Sequence, residues 1–278
     1  IGRAPTSTAT KIEDADQDTK IQVEESSDED TIRFDIAGAE DFTMTANTFT
    51  AQSGSTIAAQ ALTATTIGSS GGVTITGTTP TLTVGDAGAE DAKIVFDGNA
   101  QDFHIGLDDT ADSLAIGLGS ALGTTDHMVF DATGAVTKPL QPCVLVHPAS
   151  DQSNIAVDSA VELVWGTERF DQNADFASNT FTAPVTGRYL VLVQLRLQEV
   201  DTAADYIHVY VVSSNKTYSS SINDYGGLSG DPAYWGQSFG GIIDMDASDT
   251  LVIQLYIGGG SVQTDLDLDS YLSIGLFA

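Results

Sequence analysis

The 278-residue sequence contains a single cysteine, Cys143. No disulfide can form within the chain, so stability must come from burial or association. A lone thiol is far more often core packing than a nucleophile. Cations are scarce too: ten Lys and Arg stand against 39 Asp and Glu, a formal net charge of −29. Phosphate binding needs clustered cations, so no nucleic-acid partner is expected, and an anionic membrane surface is disfavoured. No apolar run reaches the roughly 18 residues that span a bilayer, so no membrane insertion is expected. Close-packed subunits of such charge repel unless salt or bound cations screen them.

What is present differs between the two halves. Both Trp and all eight Tyr lie after residue 160, while the first half is rich in Thr, Ala, Gly and Asp. Pro139, Pro142 and Pro148 punctuate the junction, so the chain divides into 1–138 and 139–278. The first part repeats itself. Ile32-Arg33-Phe34-Asp35 returns as Ile94-Val95-Phe96-Asp97 and as Met128-Val129-Phe130-Asp131. Asp41-Phe42-Thr43-Met44 is answered by Asp102-Phe103-His104-Ile105, and Gly38-Ala39-Glu40-Asp41 by Gly88-Ala89-Glu90-Asp91. The spacing is too irregular for a solenoid. Alternation of apolar and polar residues marks half-buried strands, so the repeats are expected to be hairpins of one strand-plus-turn unit. The acidic runs at 24–30 and 108–112 are expected turns.

Residues 45–84 carry no charge and include thirteen Thr and four Ser. Val73-Thr74-Ile75-Thr76 and Leu82-Thr83-Val84 alternate cleanly, and one short helical turn fits 57–62. Such strands alone would expose unpaired edges. Three intertwined chains would pair them with one another; a disordered linker is the competing reading. The β-branched content favours the shaft. In the second part, strands are expected at 144–146, 161–165, 188–197, 206–212, 251–257 and 266–277. About 140 residues of short strands with no helical period imply an all-β sandwich or jelly roll.

Two segments carry a family likeness. Phe170-Asp171-Gln172-Asn173 precedes Phe181-Thr182-Ala183-Pro184-Val185-Thr186-Gly187-Arg188-Tyr189, and Ser270 to Phe277 closes the chain. This half resembles the C1q/tumour-necrosis-factor-like jelly roll, with Phe181, Gly187 and Tyr189 on its core motif, Asp249 on its second motif and Gly275 in its closing strand. Ser248 stands where that family usually has Gly. Phe170, Phe181, Gly187, Tyr189 and Gly275 are thus expected to be structural, with Gly187 allowing a tight turn and Phe181 and Tyr189 in the core. The first half, through Thr19-Lys20-Ile21-Gln22-Val23-Glu24 and Lys93-Ile94-Val95-Phe96-Asp97-Gly98-Asn99, resembles tail-fibre and appendage proteins of bacterial viruses. That resemblance implies a parallel homotrimer, a repetitive β stalk bearing a jelly-roll head. The N-terminal region would meet other virion proteins of the tail or baseplate, and the head would face outward.

Signals for chemistry are weak, and no enzyme is expected. Gly68-Ser69-Ser70-Gly71-Gly72 matches a nucleophile-elbow string but lies in a Gly/Ser/Thr run with no strand-to-helix context. His104, His127, His147 and His208 show no metal-ligand spacing. Asp265-Leu266-Asp267-Leu268-Asp269 is sharper. On one strand the leucines would face the core and the three aspartates the other side. That arrangement is either a solvated acidic strand or a site for Ca2+, a hard cation that prefers oxygen ligands. The best contact loop holds Asn223, Asp224, Tyr225, Tyr234, Trp235 and Gln237: aromatic faces for sugar rings or protein, and polar groups for hydroxyls. Trp235 packing beneath the loop is the plainer alternative.

The expected function is that of a homotrimeric tail fibre or appendage on a virion, extracellular, whose head binds a glycan or protein of a bacterial host surface multivalently. A purely structural spike ranks second, a secreted bacterial adhesin third, and a polysaccharide depolymerase last.

Overall fold

The computed structural model describes residues 11–23, 30–57, 64, 66–220 and 223–278. The acidic run through 24–29 and most of the expected helical turn at 57–62 lie outside them. All regular structure among the described residues is β, in two compact units divided between Pro80 and Thr81.

The first unit holds one antiparallel meander of β1 (Lys11–Glu13), β2 (Lys20–Gln22), β3 (Ile32–Ile36), β4 (Ala39–Thr45) and β5 (Thr48–Ala51), paired in chain order. Ala37 and Gly38, both at positive φ (52° and 80°), make the two-residue turn whose twist suits a hairpin. The register sorts the side chains by polarity. Ile12 lies opposite Ile21, Ile21 opposite Phe34, Phe34 opposite Phe42, and Met44 opposite Phe49. Lys20 and Asp35 pair at 3.1 Å and Arg33 and Glu40 at 2.7 Å.

The second unit begins with another five-stranded meander: β6 (Ala92–Phe96), β7 (Phe103–Asp108), β8 (Ser113–Leu118), β9 (Asp126–Asp131) and β10 (Val136–Thr137). The sequence repeat is thereby explained. Phe96 lies opposite Phe103 as Phe34 lies opposite Phe42, each pair formed by two consecutive strands. Residues 109–112 form the expected turn between β7 and β8. Rows of apolar residues cross one face: Ile94, Ile105, Ile116 and Met128 form one, Leu107, Leu114, Phe130 and Val136 another. The other face is closed around His104, which is fully buried. Its Nδ1 lies 2.9 Å from the Gly119 carbonyl and its Nε2 3.4 Å from Asp126. Gly117 admits the imidazole, since a Cβ there would stand 2.7 Å from it.

Among the described residues of 52–91 no strand forms. Val73, Ile75, Leu82 and Val84 are exposed and extend the chain without pairing inside it.

The rest is a sandwich. Its strands are β11 (Cys143–His147), β12 (Ala160–Glu162), β13 (Thr167–Asp171), β14 (Phe176–Ala177), β15 (Thr180–Thr182), β16 (Gly187–Gln198), β17 (Ala204–Ser213), β18 (Thr217–Ser219), β19 (Tyr234–Met245), β20 (Thr250–Gly259), β21 (Asp265–Leu266) and β22 (Tyr271–Leu276). One sheet runs β13-β11-β22-β16-β19, with β21 on β16; the other runs β14-β15-β20-β17-β18, with β12 on β20. The opening strand lies beside the closing one and the chain swings between sheets, which is the jelly-roll order. Strict alternation in β16 sends Tyr189, Val191, Val193, Leu195 and Leu197 inward. Ile207, Val209 and Val211 of β17 and Leu251, Ile253 and Leu255 of β20 join them in the core.

Three strand expectations change. The expected strand 266–277 is two strands separated by a turn. Residues 161–165 leave the sheet after Glu162, although Trp165 stays in the core. The contact loop expected to run through Gln237 instead ends inside a strand, β19, which is twelve residues long and holds Gly236, Gly240 and Gly241. A strand tolerates those glycines because β16 supplies its full ladder, Gly187↔Met245 through Gln198↔Tyr234.

Candidate functional site

The structure places the five family-motif residues differently: Phe181, Gly187 and Tyr189 are packed, whereas Phe170 is exposed and Gly275 has space around it. Phe181 and Tyr189 are fully buried with ring centroids 5.4 Å apart, and the Tyr189 hydroxyl donates to the Val185 carbonyl at 2.7 Å. Gly187 does not form the expected tight turn. It opens β16, and a Cβ on it would meet Leu276 Cδ1 at 2.7 Å and the Ala278 carbonyl at 2.9 Å. Gly275 has room, its nearest neighbour 3.8 Å away. Phe170 lies opposite Leu145 on β11, 46% exposed and outside the core.

The acidic run departs from its expected shape. Asp265 is in β21, but the chain then turns, so the three aspartates share no face. Leu266 is buried and Leu268 exposed. Asp265 accepts the Asn154 amide at 2.6 Å. Asp267, 2% exposed, accepts from Arg196 at 2.7 Å, and Asp269 meets the same guanidinium at 2.5 Å. Burial pushes the Asp267 carboxyl up. The Arg196 hydrogen bond, the Asp269 amide and Gln198 outweigh it, and the carboxyl stays below the ordinary value. The run is thus neither the solvated acidic strand nor the three-carboxylate face that a Ca2+ site would need: a side-chain cation, Arg196, takes two of its carboxylates. Three carboxylates converge elsewhere, at Asp14, Asp16 and Asp18, all exposed. The run lies at the sandwich end remote from the C-terminus. β21 pairs with Leu197 and Gln198, whereas Phe277 and Ala278 bond Arg188 at the other end of β16.

The expected contact loop is divided by packing. Tyr225 is fully buried and Gln237 is 3% exposed, so neither offers a surface to a ligand. Gln237 accepts from Asn223 and donates to the Ser220 hydroxyl at 3.0 Å. Trp235 packs edge-on against Tyr225 at 5.2 Å, the plainer alternative. Burial lifts the Tyr225 hydroxyl's pKa above the ordinary value. Only Asp224 and Tyr234 stay exposed, and Arg196 lies over the Tyr234 ring at 5.2 Å.

A second aromatic group was missed. Tyr206, His208 and Tyr210 alternate along β17, and Tyr256 on β20 lies opposite His208. All four are half-buried on the sheet face away from the core. Tyr206 and Tyr256 lie 5.8 Å apart at 13°, His208 and Tyr210 5.4 Å apart at 13°. Tyr206 meets His208 edge-on at 5.1 Å, and Tyr210 meets Tyr256 at 6.3 Å. Gly258 makes this possible, because a Cβ there would stand 2.8 Å from the Tyr206 ring. Burial, then Tyr206, keep the Tyr256 hydroxyl above its ordinary pKa and so protonated. The signal was legible: Tyr-x-His-x-Tyr places three rings on one face of a strand.

Near the C-terminus, Leu140, Pro142, Asn173, Asp175, Val185 and Phe277 line a cleft of about 700 Å³. Burial, then Asp171, raise the Asp175 pKa above the ordinary value.

No known family's model matches the chain, and no curated protein matches it. Solved structures with a similar backbone include the globular domain of zebrafish complement 1qA protein. It is 16% identical, over 50% of this chain and 98% of that one, with a TM-score of 0.37. Murine APRIL at pH 8.0 is 14% identical, over 49% of this chain and 99% of its own, with a TM-score of 0.36. The jelly roll itself is defined by the strand order given above.

Proposed function

We propose that the chain is one subunit of a homotrimeric extracellular β fibre, of the tail-fibre kind carried by bacterial viruses, whose C-terminal head binds a receptor on a bacterial surface. The observation that carries this reading is the open apolar face of each meander. In the second, eight large apolar residues on one face are more than a third exposed: Ile94, Phe96, Phe103, Ile105, Leu107, Leu114, Phe130 and Val136. A single-layer sheet buries one side only by packing on another layer. Continuous exposed patches of this size mark association surfaces. Three copies about an axis would enclose these faces as the walls of a prism. The same arrangement would give the unpaired 66–84 segments sister strands to meet. The faces carry no charge, so contact there escapes much of the repulsion that a net −29 imposes elsewhere.

A purely structural spike is favoured by one fact, the use of Tyr225 and Gln237 for packing. Two measurements on the full chain decide. Sedimentation equilibrium in physiological salt is expected to return three times 29.0 kDa. A cooperatively folded monomer overturns the fibre. Fluorescently labelled protein is expected to adsorb to some strains of a bacterial panel. A trimer that adsorbs to none is a structural spike.

A further inference from the structure

Among the described residues of the sandwich, four rings gather outside the core on the outer face of the β17–β20 pair. Their arrangement is prepared rather than incidental. Three come from alternate positions of one strand and the fourth from its neighbour, so the sheet holds all four on one surface. Gly258 yields the space that Tyr206 occupies. Each ring is fixed by at least one neighbour at 5.1–6.3 Å. Rings held in this way lose little freedom when a ligand settles on them.

The chemistry around the rings selects the ligand. No Lys or Arg lies on any strand of this sheet. Glu162 lies opposite Gln254, next to the rings, and Asp205 precedes Tyr206. Asp158 acts on Tyr256 electrostatically. An anionic ligand would meet Glu162 and Asp205 and no Lys or Arg on these strands. A quaternary ammonium needs rings around a vacant centre, and here edge-to-face contacts fill the space between the pairs. A neutral polyhydroxyl ring fits. Its C–H face can lie on a tyrosine, while the Tyr hydroxyls, Gln254 and Glu162 exchange hydrogen bonds with its hydroxyls.

We infer that Tyr206, Tyr210 and Tyr256, with His208, form a platform that binds an uncharged saccharide chain. The inference rests on reading the head as receptor-binding, and it moves the contact surface from the 223–237 loop to the sheet face. Several rings in a row suit successive sugar units, and each copy of the chain adds a platform to the avidity of the whole.

The test uses the full chain, wild type and two variants, on an array of neutral and anionic microbial oligosaccharides. Tyr206→Ala removes one ring. Ala160→Arg keeps all four rings and lays a guanidinium beside Tyr256, its partner across β12 and β20. Wild type is expected to retain neutral glycans, and both variants to lose about tenfold or more in affinity with an unchanged melting temperature. Should Tyr206→Ala fail to fold, Ala160→Arg alone decides. Retention of anionic glycans only, of none, or of neutral glycans equally by the variants overturns the platform. Adsorption to cells separates the two levels. If the variants adsorb as wild type does, the head still binds a receptor but the platform is wrong. If wild type adsorbs to no strain, the receptor reading itself fails.

Discussion

Asp267 is buried and takes the guanidinium of Arg196, which Asp269 also holds from the solvent side. The pair ties the turn after β21 to the outer face of β16, at the end of the sandwich remote from the C-terminus. Removing Arg196 would leave a buried carboxylate without its main counter-charge. Arg196→Ala is therefore expected to lower the melting temperature more than Arg188→Ala does, since Asp244, the partner of Arg188, is exposed. EDTA is expected to leave the melting temperature unchanged, in wild type and in Asp265→Ala alike. A chelator-sensitive transition that Asp265→Ala abolishes would restore the metal reading.

The same carboxylate sets an acid limb. Asp267 is held below the ordinary 3.8, so it binds fewer protons folded than unfolded. Its stabilisation is fully present above 3.8 and is lost as the pH falls through the lower folded value. Asp175 has the opposite sign. Its raised value means that folding is penalised once that group ionises. Urea denaturation across the acid range is expected to show a shallower acid loss in Asp267→Asn, and higher neutral stability in Asp175→Asn.

Ser248 sits at φ 76°, in the turn between β19 and β20. A side chain there crowds the backbone, and glycine relieves it. The amide that donates to the Ala183 carbonyl at 2.7 Å is kept in either residue. Ser248→Gly is expected to raise stability by about 1 kcal/mol. Chemical denaturation checks it, and a loss of stability would refute the strain.

Two glycines on the paired strands β16 and β22 should behave oppositely. Gly187→Ala drives a methyl into Leu276 and the Ala278 carbonyl and is expected to cost about 1–3 kcal/mol. Gly275→Ala meets nothing closer than 3.8 Å within the chain. Its effect on the fold should be small, which thermal melts of the two variants would compare.

Ile105 lies in the middle of an apolar row, between Ile94 and Ile116. In a lone chain Ile105→Glu would merely add an exposed charge. In the proposed fibre it would place a carboxylate in the shared core. Sedimentation is expected to show smaller species, with near-ultraviolet circular dichroism of the jelly-roll aromatics unchanged. A variant that sediments as wild type does would remove the second meander from the interface.

Much of the strand content was legible because alternation is a local property. Residues 144–146, 188–197, 206–212 and 251–257 each fell within an observed strand, and the Phe34 and Phe96 phrases both proved to open hairpins. The errors came where neighbours distant in sequence decide. β19 was hidden by three glycines whose strand depends on β16. The Asp265 run alternates as a strand should, yet it bends away after Leu266, where Asp267 is buried against Arg196. The contact loop looked like a binding surface since Tyr, Trp, Asn and Gln serve both packing and recognition. Only burial distinguishes the two uses, and it took Tyr225 and Gln237 for the core.

From the amino-acid order alone came an all-β chain, a repeated amphipathic hairpin in its first half and a jelly-roll motif in its second. Each follows from period-two patterning and turn residues that act over a few positions. The tertiary structure decided which side chains were left over: the open apolar faces of the meanders, the guanidinium at the remote tip, and four rings on the outer sheet. Those depend on register between strands far apart in the chain, where a shift of one residue sends every side chain to the opposite face.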